Sequence, residues 1–478
     1  MTTAYVRQNI WTLDQQDHRH PTIEAYARAV AVLQQRSRSD VDDPRGWTHL
    51  AAVHGTGNNT DKFRNQCQHQ SWYFLPWHRM YLYWFERIVR AAVRELPDVD
   101  DTTKQTWALP FWEYGPTVES RRLPRAFLDP FLRDGVTPNP LRVPGRNLNS
   151  GAALPPNAAR LQEALAPVTF TGSLGFGGAA TAWNHFGEDP AAAAAPLELT
   201  PHGAVHVQVG GPMADFDTAG LDPIFWLHHA NIDRLWEVWL GQPNRTNTTS
   251  SAWLTGETFH FHDETGTPRS QQVADVLDIR GQLNYRYEGT PAPSVPIEEG
   301  PIEEAHRVEH EPAHPPELVG ATSEAVTLTG DVASVAVDVG APAGPLAESA
   351  RVPSRVFLDI EDVSAPRAPG VTYSVYADIP DGDPATDDDH FVGTASFFGI
   401  EEVDSRDSEH AGMRLRFDIT DLHRRLVETG RWSDRVSVTF VPDFVEPPDS
   451  PLDLPAEESA TVQDPGTLRV GRIGVFYQ

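Results

Sequence analysis

The residues of this chain best suited to chemistry are histidines, and they fall into two groups. In the first, His54 closes the run GWTHLAAVHG, and His69 and His78 lie within CQHQSWYFLPWHRMYLYWFERI beside Cys67, the only cysteine. The second comprises His202 and His206 of PHGAVH and the adjacent His228 and His229 of DPIFWLHHANIDRLWEVW. Neutral imidazoles without obvious carboxylate or thiolate companions suit copper or zinc rather than magnesium or calcium.

Spacing limits how each group can assemble. A helix turns about 400° and rises about 6 Å between His202 and His206, so both rings share one face and can reach one ion. His228 and His229 point about 100° apart on a helix, so only one of them can join that pair, and periodicity does not choose between them. His69 and His78 on one unbroken helix would stand about 13 Å apart on opposite faces. They can share an ion only if His78 sits on the helix and His69 on the loop before it, with His54 approaching from a separate helix. Two such three-histidine groups on one bundle point to a dinuclear centre in its core.

The elements that must position these rings are legible as pattern. Helical spacing covers Ile23 to Gln35, a segment capped by Ser71 and running through Trp84 to Arg94, Glu198 to Val209, and Ile224 to Leu240. A segment rich in proline and glutamate follows Tyr287 and reads as a linker, with His306, His310 and His314 on a solvated tether. Beyond it come short alternating runs (VTLT, ASVAVDV, RVFLDI, TYSVYAD, HFVGTASFF, MRLRFDI, RVSVTFV and LRVGRIGVFY) and one helix near Thr420 to Thr429. The expected fold is multidomain α+β: a mainly α-helical domain over 1–290 with a four-helix bundle, a linker over 291–319, and a C-terminal β-sandwich over 320–478.

Composition narrows the partners. The chain has 67 acidic and 38 basic residues, a net charge of −29, which repels nucleic-acid backbones and anionic lipid. No uninterrupted apolar run approaches the roughly 18 residues of a membrane span. The start MTTAYVRQNI lacks a basic region followed by an apolar core, and a lone cysteine makes no internal disulfide. These features predict a cytoplasmic protein that binds neither nucleic acid nor membrane, with export alongside a partner still compatible. No pattern indicates an oligomeric state.

The quoted segments, together with TPHGAVHVQVGGPM and AGLDPIFWLHHANIDRLWEVW, resemble the two copper-binding signatures of type-3 copper proteins: tyrosinases, catechol oxidases and molluscan-type haemocyanins. The resemblance covers most of residues 1–290. It implies one copper ion held by His54, His69 and His78, a second held by His202, His206 and His229, and dioxygen as co-substrate. It also implies a thioether from Cys67 to His69. The activity implied is a copper-dependent polyphenol oxidase that turns o-diphenols into o-quinones, with monophenols and o-aminophenols as further candidates.

Other residues match positions of known role in that family. Glu198 matches an acidic residue that holds a water near the metals, Phe216 a bulky residue overhanging the first copper, and Gly203 a position where hydroxylating members often carry Asn. Gly203 has no side chain to orient a water, which favours diphenols. Asp233, one turn after His229, suits either that ring or an arginine. Tyr285 and Tyr287 of YRYE resemble a tyrosine motif closing the catalytic domain, with Arg7 as cation partner. The resemblance further implies a β-sandwich that covers the site and suppresses activity until displaced. An oxygen carrier like a haemocyanin unit is the rival reading, and a zinc hydrolase a third.

Overall fold

The computed structural model describes residues 4–57, 61–115, 117–172, 174–185, 194–291, 315–340, 353–379, 388–400, 412–448 and 463–478. His306, His310, His314 and most of the expected linker lie outside the described residues.

The 22-residue helix Phe74–Glu95 is central to the helical part and buried along most of its length. It packs against the helices Pro21–Ser39 and Pro223–Leu240, and Trp47–His54 packs on the first of these. Two starts follow ordinary capping chemistry: Pro21 and Pro223 occupy first helical positions, where no amide is needed, and the Asp222 side chain accepts from the Ile224 amide at 2.9 Å. The central helix begins at Phe74 rather than at Ser71. Ser71 instead accepts from the Tyr73 amide through its Oγ at 3.1 Å and from Phe74 through its carbonyl at 3.0 Å, which makes a lead-in turn.

Beneath this core lies a buried ionic cluster. Strand β1 (Tyr5–Arg7) pairs in parallel with β4 (Tyr285–Tyr287), bringing the two ends of the helical part together; β2 (Phe259–His262) and β3 (Pro268–Gln271) form a separate hairpin. Arg7 and Arg79 are fully buried and neutralised by Glu86, Asp233 and Glu237, and the Tyr285 and Tyr287 hydroxyls each donate to Asp233 at 2.6 Å. Buried charges persist only when paired in this way. Asp233 therefore serves the arginines.

The C-terminal strands are β5 (Glu317–Ala321), β6 (Val326–Leu328), β7 (Ala333–Val339), β8 (Val356–Ser364), β9 (Thr372–Ala377), β10 (Phe391–Ala395), β11 (Met413–Asp418), β12 (Arg435–Asp443) and β13 (Leu468–Tyr477). They pair antiparallel in the order β10-β9-β12-β7-β5-β13-β8-β11, with β6 beside β13. β5 joins β7 through the pairs Gly320 with Val339 and Ala321 with Asp338 and the Gly340 amide on the Val319 carbonyl, and the strands share an apolar core. β5 has no counterpart among the runs expected to be strands; ELVGA is short and directly follows two prolines.

The two parts are closely docked. Ala153 and Glu446 exchange backbone hydrogen bonds at 2.8 Å, and Arg121 pairs with the Glu446 carboxylate at 2.6 Å. Gln208 donates to Thr372 Oγ1 and the Asp443 carbonyl at 2.9 Å each, and Asn157 donates to Ser374 Oγ at 2.8 Å.

Candidate metal centre

His54, His69 and His78 converge from three different pieces of backbone. His54 ends the helix Trp47–His54, and His78 lies in the second turn of Phe74–Glu95. His69 is on the preceding extended chain, where its amide donates to the Asn184 carbonyl at 3.1 Å and its carbonyl accepts from Asn184 Nδ2 at 2.7 Å. Ring centroids stand 5.4 Å apart for His54 and His69, 5.7 Å for His54 and His78, and 5.2 Å for His69 and His78.

The second group departs from one even helix. Glu198–Gly203 forms a wide π-type turn in which Thr200 is extended, and regular helix resumes only over Ala204–Val209. The cause is Pro201, which has no amide to donate and disfavours helical geometry at the residue before it. His202 and His206 nevertheless stand 4.7 Å apart, with His229 at 5.1 Å and 5.4 Å from them.

Geometry also separates His229 from His228. His229 stacks on His78 at 4.4 Å, 10° from parallel, and faces His54 at 6.3 Å, so it stands between the two groups. His228 has ring contacts with His202, His206 and His229, and its Nδ1 lies 3.3 Å from the Tyr114 hydroxyl.

Four rings are oriented by backbone carbonyls. Nδ1 donates from His54 to Phe216 O at 3.2 Å, from His78 to Phe74 O at 2.7 Å, from His202 to Glu198 O at 3.1 Å and from His206 to Met213 O at 2.8 Å. A carbonyl only accepts, so Nδ1 carries the proton and Nε2 a free lone pair. The Nε2 atoms of His54, His78 and His202 are buried with no hydrogen-bond partner. Burial pushes all six imidazoles far below the ordinary histidine range, to about 3 for His78 and His206, so they are neutral donors. Ligand atoms of His54, Cys67 and His69 lie within 4.8 Å of one another, as do those of His202, His206, His228 and His229. Carbonyl-held imidazoles with bare inward nitrogens are what a metal pair requires.

A family model for the common central domain of tyrosinase matches residues 44–242, and one for the polyphenol oxidase middle domain matches residues 247–296. Residues 315–478 match a domain of unknown function, DUF7868. Tyrosinase HcTyr1 of Hahella sp. (strain CCB-MM4) is 32% identical over 488 residues, covering 94% of this chain and 97% of its own. The chain belongs to the tyrosinase family. Polyphenol oxidase of Malus domestica is 28% identical over 84% of this chain and 70% of its own. Among solved structures, latent apple tyrosinase superposes with a TM-score of 0.63 at 25% identity, covering 100% of this chain and 98% of that one.

This tyrosinase-family protein is accordingly a copper-dependent oxidase that oxidises phenols with dioxygen at a dinuclear centre, and the oxygen-carrier and zinc-hydrolase readings fall away. The cytoplasmic expectation is corrected: the relatives from Larrea tridentata, Prunus armeniaca, Malus domestica and Vitis vinifera are described as chloroplastic, so the family is no guide to the cytoplasm. Among the described residues, no helix is long and apolar enough to cross a membrane.

The remaining sequence candidates also gather here. Both Glu198 oxygens accept from the Gln70 amide, at 2.8 Å and 3.0 Å, and burial pushes the carboxyl up to about 8. The Phe216 ring stands 5.2 Å from His54 and 5.0 Å from His69. A Cβ on Gly203 would lie 2.9 Å from Ser396 Oγ. Asp233 binds Arg79 and Arg7 rather than the His229 ring.

Three residues escaped sequence reasoning. Phe398 stacks on His206 at 4.2 Å, and Ser396 Oγ is buried without a hydrogen-bond partner beside Gly203. Both fall in HFVGTASFF, which alternates like a strand; β10 stops at Ala395, and the doubled phenylalanine before Gly399 was the available signal. His185 Nδ1 lies 3.3 Å from Cys67 Sγ, and nothing in WNHFGED marks it.

Proposed function

We propose that this protein is a latent o-diphenol oxidase. In this reading residues 1–290 catalyse, 291–319 link and 320–478 cover the site, with His54, His69 and His78 holding one copper and His202, His206 and His229 the other. The copper pair supplies the electron transfer that joins catechol oxidation to reduction of dioxygen.

The observation that carries latency is the position of Phe398, flat on His206 and 5.9 Å from Phe216, where a phenol ring approaching the metals would lie. The space left beside His69, Glu198 and His202 is about 20 Å³, which suits a water rather than an aromatic substrate. With the cover displaced, Phe216 offers an aromatic wall against which a catechol can pack. Glu198, lining that space beside His202 with its oxygens held by the Gln70 amide, is placed to take the substrate hydroxyl proton once it is ionised. Gly203 offers no side chain to orient a second base, which favours diphenols over monophenols; o-aminophenols fit the same opening.

The test is limited proteolysis of the copper-loaded full chain within 291–319, with catechol and a matching monophenol assayed before and after. A large gain on catechol with a smaller one on the monophenol is expected. Equal rates before and after cleavage and separation of the fragments defeat the latency reading.

A further inference from the structure

The helix Trp47–His54 carries a second histidine that the candidate dicopper centre does not use. His49 is 6% exposed, and neither of its ring nitrogens has a hydrogen-bond partner, an arrangement a buried imidazole sustains poorly without a ligand. Its ring meets that of His262 at the end of β2, with centroids 5.2 Å apart and planes at 69°.

That spacing is the one seen in the centre itself, where paired rings within each three-histidine group stand between 4.7 Å and 5.7 Å apart. It also follows from coordination geometry: two imidazoles bound at about 2.0–2.1 Å with a tetrahedral angle have centroids about 5 Å apart. Phe63 lies against the His262 ring at 4.2 Å and walls one side. Asp61, just before it, acts electrostatically on both imidazoles. Of the cations nearby, Arg64 is paired with Asp42 at 2.8 Å, and Lys62 stands by Phe63 at 4.9 Å from its ring. Burial lowers both histidines, His49 to about 4, so both are neutral donors.

We propose that His49 and His262 form a third metal site, separate from the dicopper centre, for one borderline divalent cation such as zinc or copper(II), with water completing its coordination. The site lies on the helix that delivers His54 but does not draw on the six rings of the centre.

The probe is Zn²⁺. Copper-loaded full-length protein is incubated with excess Zn²⁺ and desalted, its metals are counted, and the visible spectrum of the oxygenated protein is recorded. The expected result is two copper and one zinc per chain, with zinc falling to near zero in both His49→Phe and His262→Phe while the copper count and spectrum of His262→Phe match the parent. Should His49→Phe fail to fold, His262→Phe on the partly exposed hairpin decides alone. A parent that retains no zinc, or a folded variant that retains as much as the parent, overturns the site.

Discussion

Phe398 lies flat against His206, ring centroids 4.2 Å apart and planes 19° from parallel, so a side chain of the β part rests on an imidazole of the helical part. Removing a buried phenylalanine costs about 3–5 kcal/mol, and each 1.4 kcal/mol shifts an equilibrium about tenfold. Uncut Phe398→Ala is therefore expected to oxidise catechol at least about tenfold faster than the uncut parent, with the two converging after cleavage. Initial rates of quinone formation check this, and a variant as slow as the parent removes Phe398 from the role of plug.

Gly203 and Ser396 make a second, steric contact. A Cβ at 203 would sit 2.9 Å from Ser396 Oγ and 3.5 Å from Phe398 Cβ, closer to the hydroxyl than side chains pack. Gly203→Ala is expected to seat the cover less well and to raise the ratio of uncut to cut activity several-fold. Ser396→Gly in the same chain makes room for the methyl and is expected to restore the parent ratio. If the double variant is as leaky as the single one, the contact is not what sets closure.

Asp443 gives the folded state a pH dependence of definite sign. It accepts from Ser374 Oγ at 2.7 Å and Thr372 Oγ1 at 3.1 Å, its carbonyl accepts from Gln208, and Tyr376 is the titratable group that feels it. Burial pushes its carboxyl up to about 7, against an unfolded value of about 3.9. Between those values the folded protein keeps a proton that the unfolded chain has lost. Stability therefore falls as pH rises from about 4 through about 7, by a few kcal/mol, and is level above. Asp443→Asn is expected to flatten that slope, so its thermal midpoint at pH 8 approaches its midpoint at pH 5 more closely than the parent's does. Parallel profiles in parent and variant would show the carboxyl to be ionised throughout.

Much of the site was legible because its logic is local. The four-residue step from His202 to His206 and the impossibility of His69 and His78 sharing one helix both follow from helix geometry, and the structure brings these rings together. Where reading failed or stopped at two alternatives, an overlooked breaker or a distant partner decided the outcome. Pro201 interrupts a segment that otherwise scans as helix, and Asp233 is drawn to Arg7 and Arg79, which the chain delivers from far away in sequence. Phe398 shows locally only as one of a doubled phenylalanine before Gly399, and its role depends on how one part docks on another.

Cys67 carries a prediction read from mass alone. Its sulfur lies within 4.8 Å of donor atoms of His54 and His69 and is fully buried. A thioether to His69 replaces one S–H and one C–H bond, so intact copper-exposed protein is expected to be lighter than its sequence by two hydrogens. Cys67→Ala is expected at its sequence mass. A parent at full sequence mass after aerobic copper loading, with a thiol that reacts once unfolded, shows that no bond has formed.

His228 and His229 separate by what each faces. His229 stands between the groups, stacked on His78 and with its Nε2 3.2 Å from His206 Nε2, whereas His228 turns toward Tyr114. His229→Ala is expected to lower bound copper from two ions to about one per chain and to abolish the spectrum of the oxygenated pair, because a two-histidine remnant binds weakly. His228→Gln keeps a polar group for the Tyr114 hydroxyl and is expected to retain both ions, with a modest loss of thermal stability from the altered core. The reverse pattern, copper lost from the glutamine variant and kept by the alanine variant, would assign the ligand to His228 despite its position.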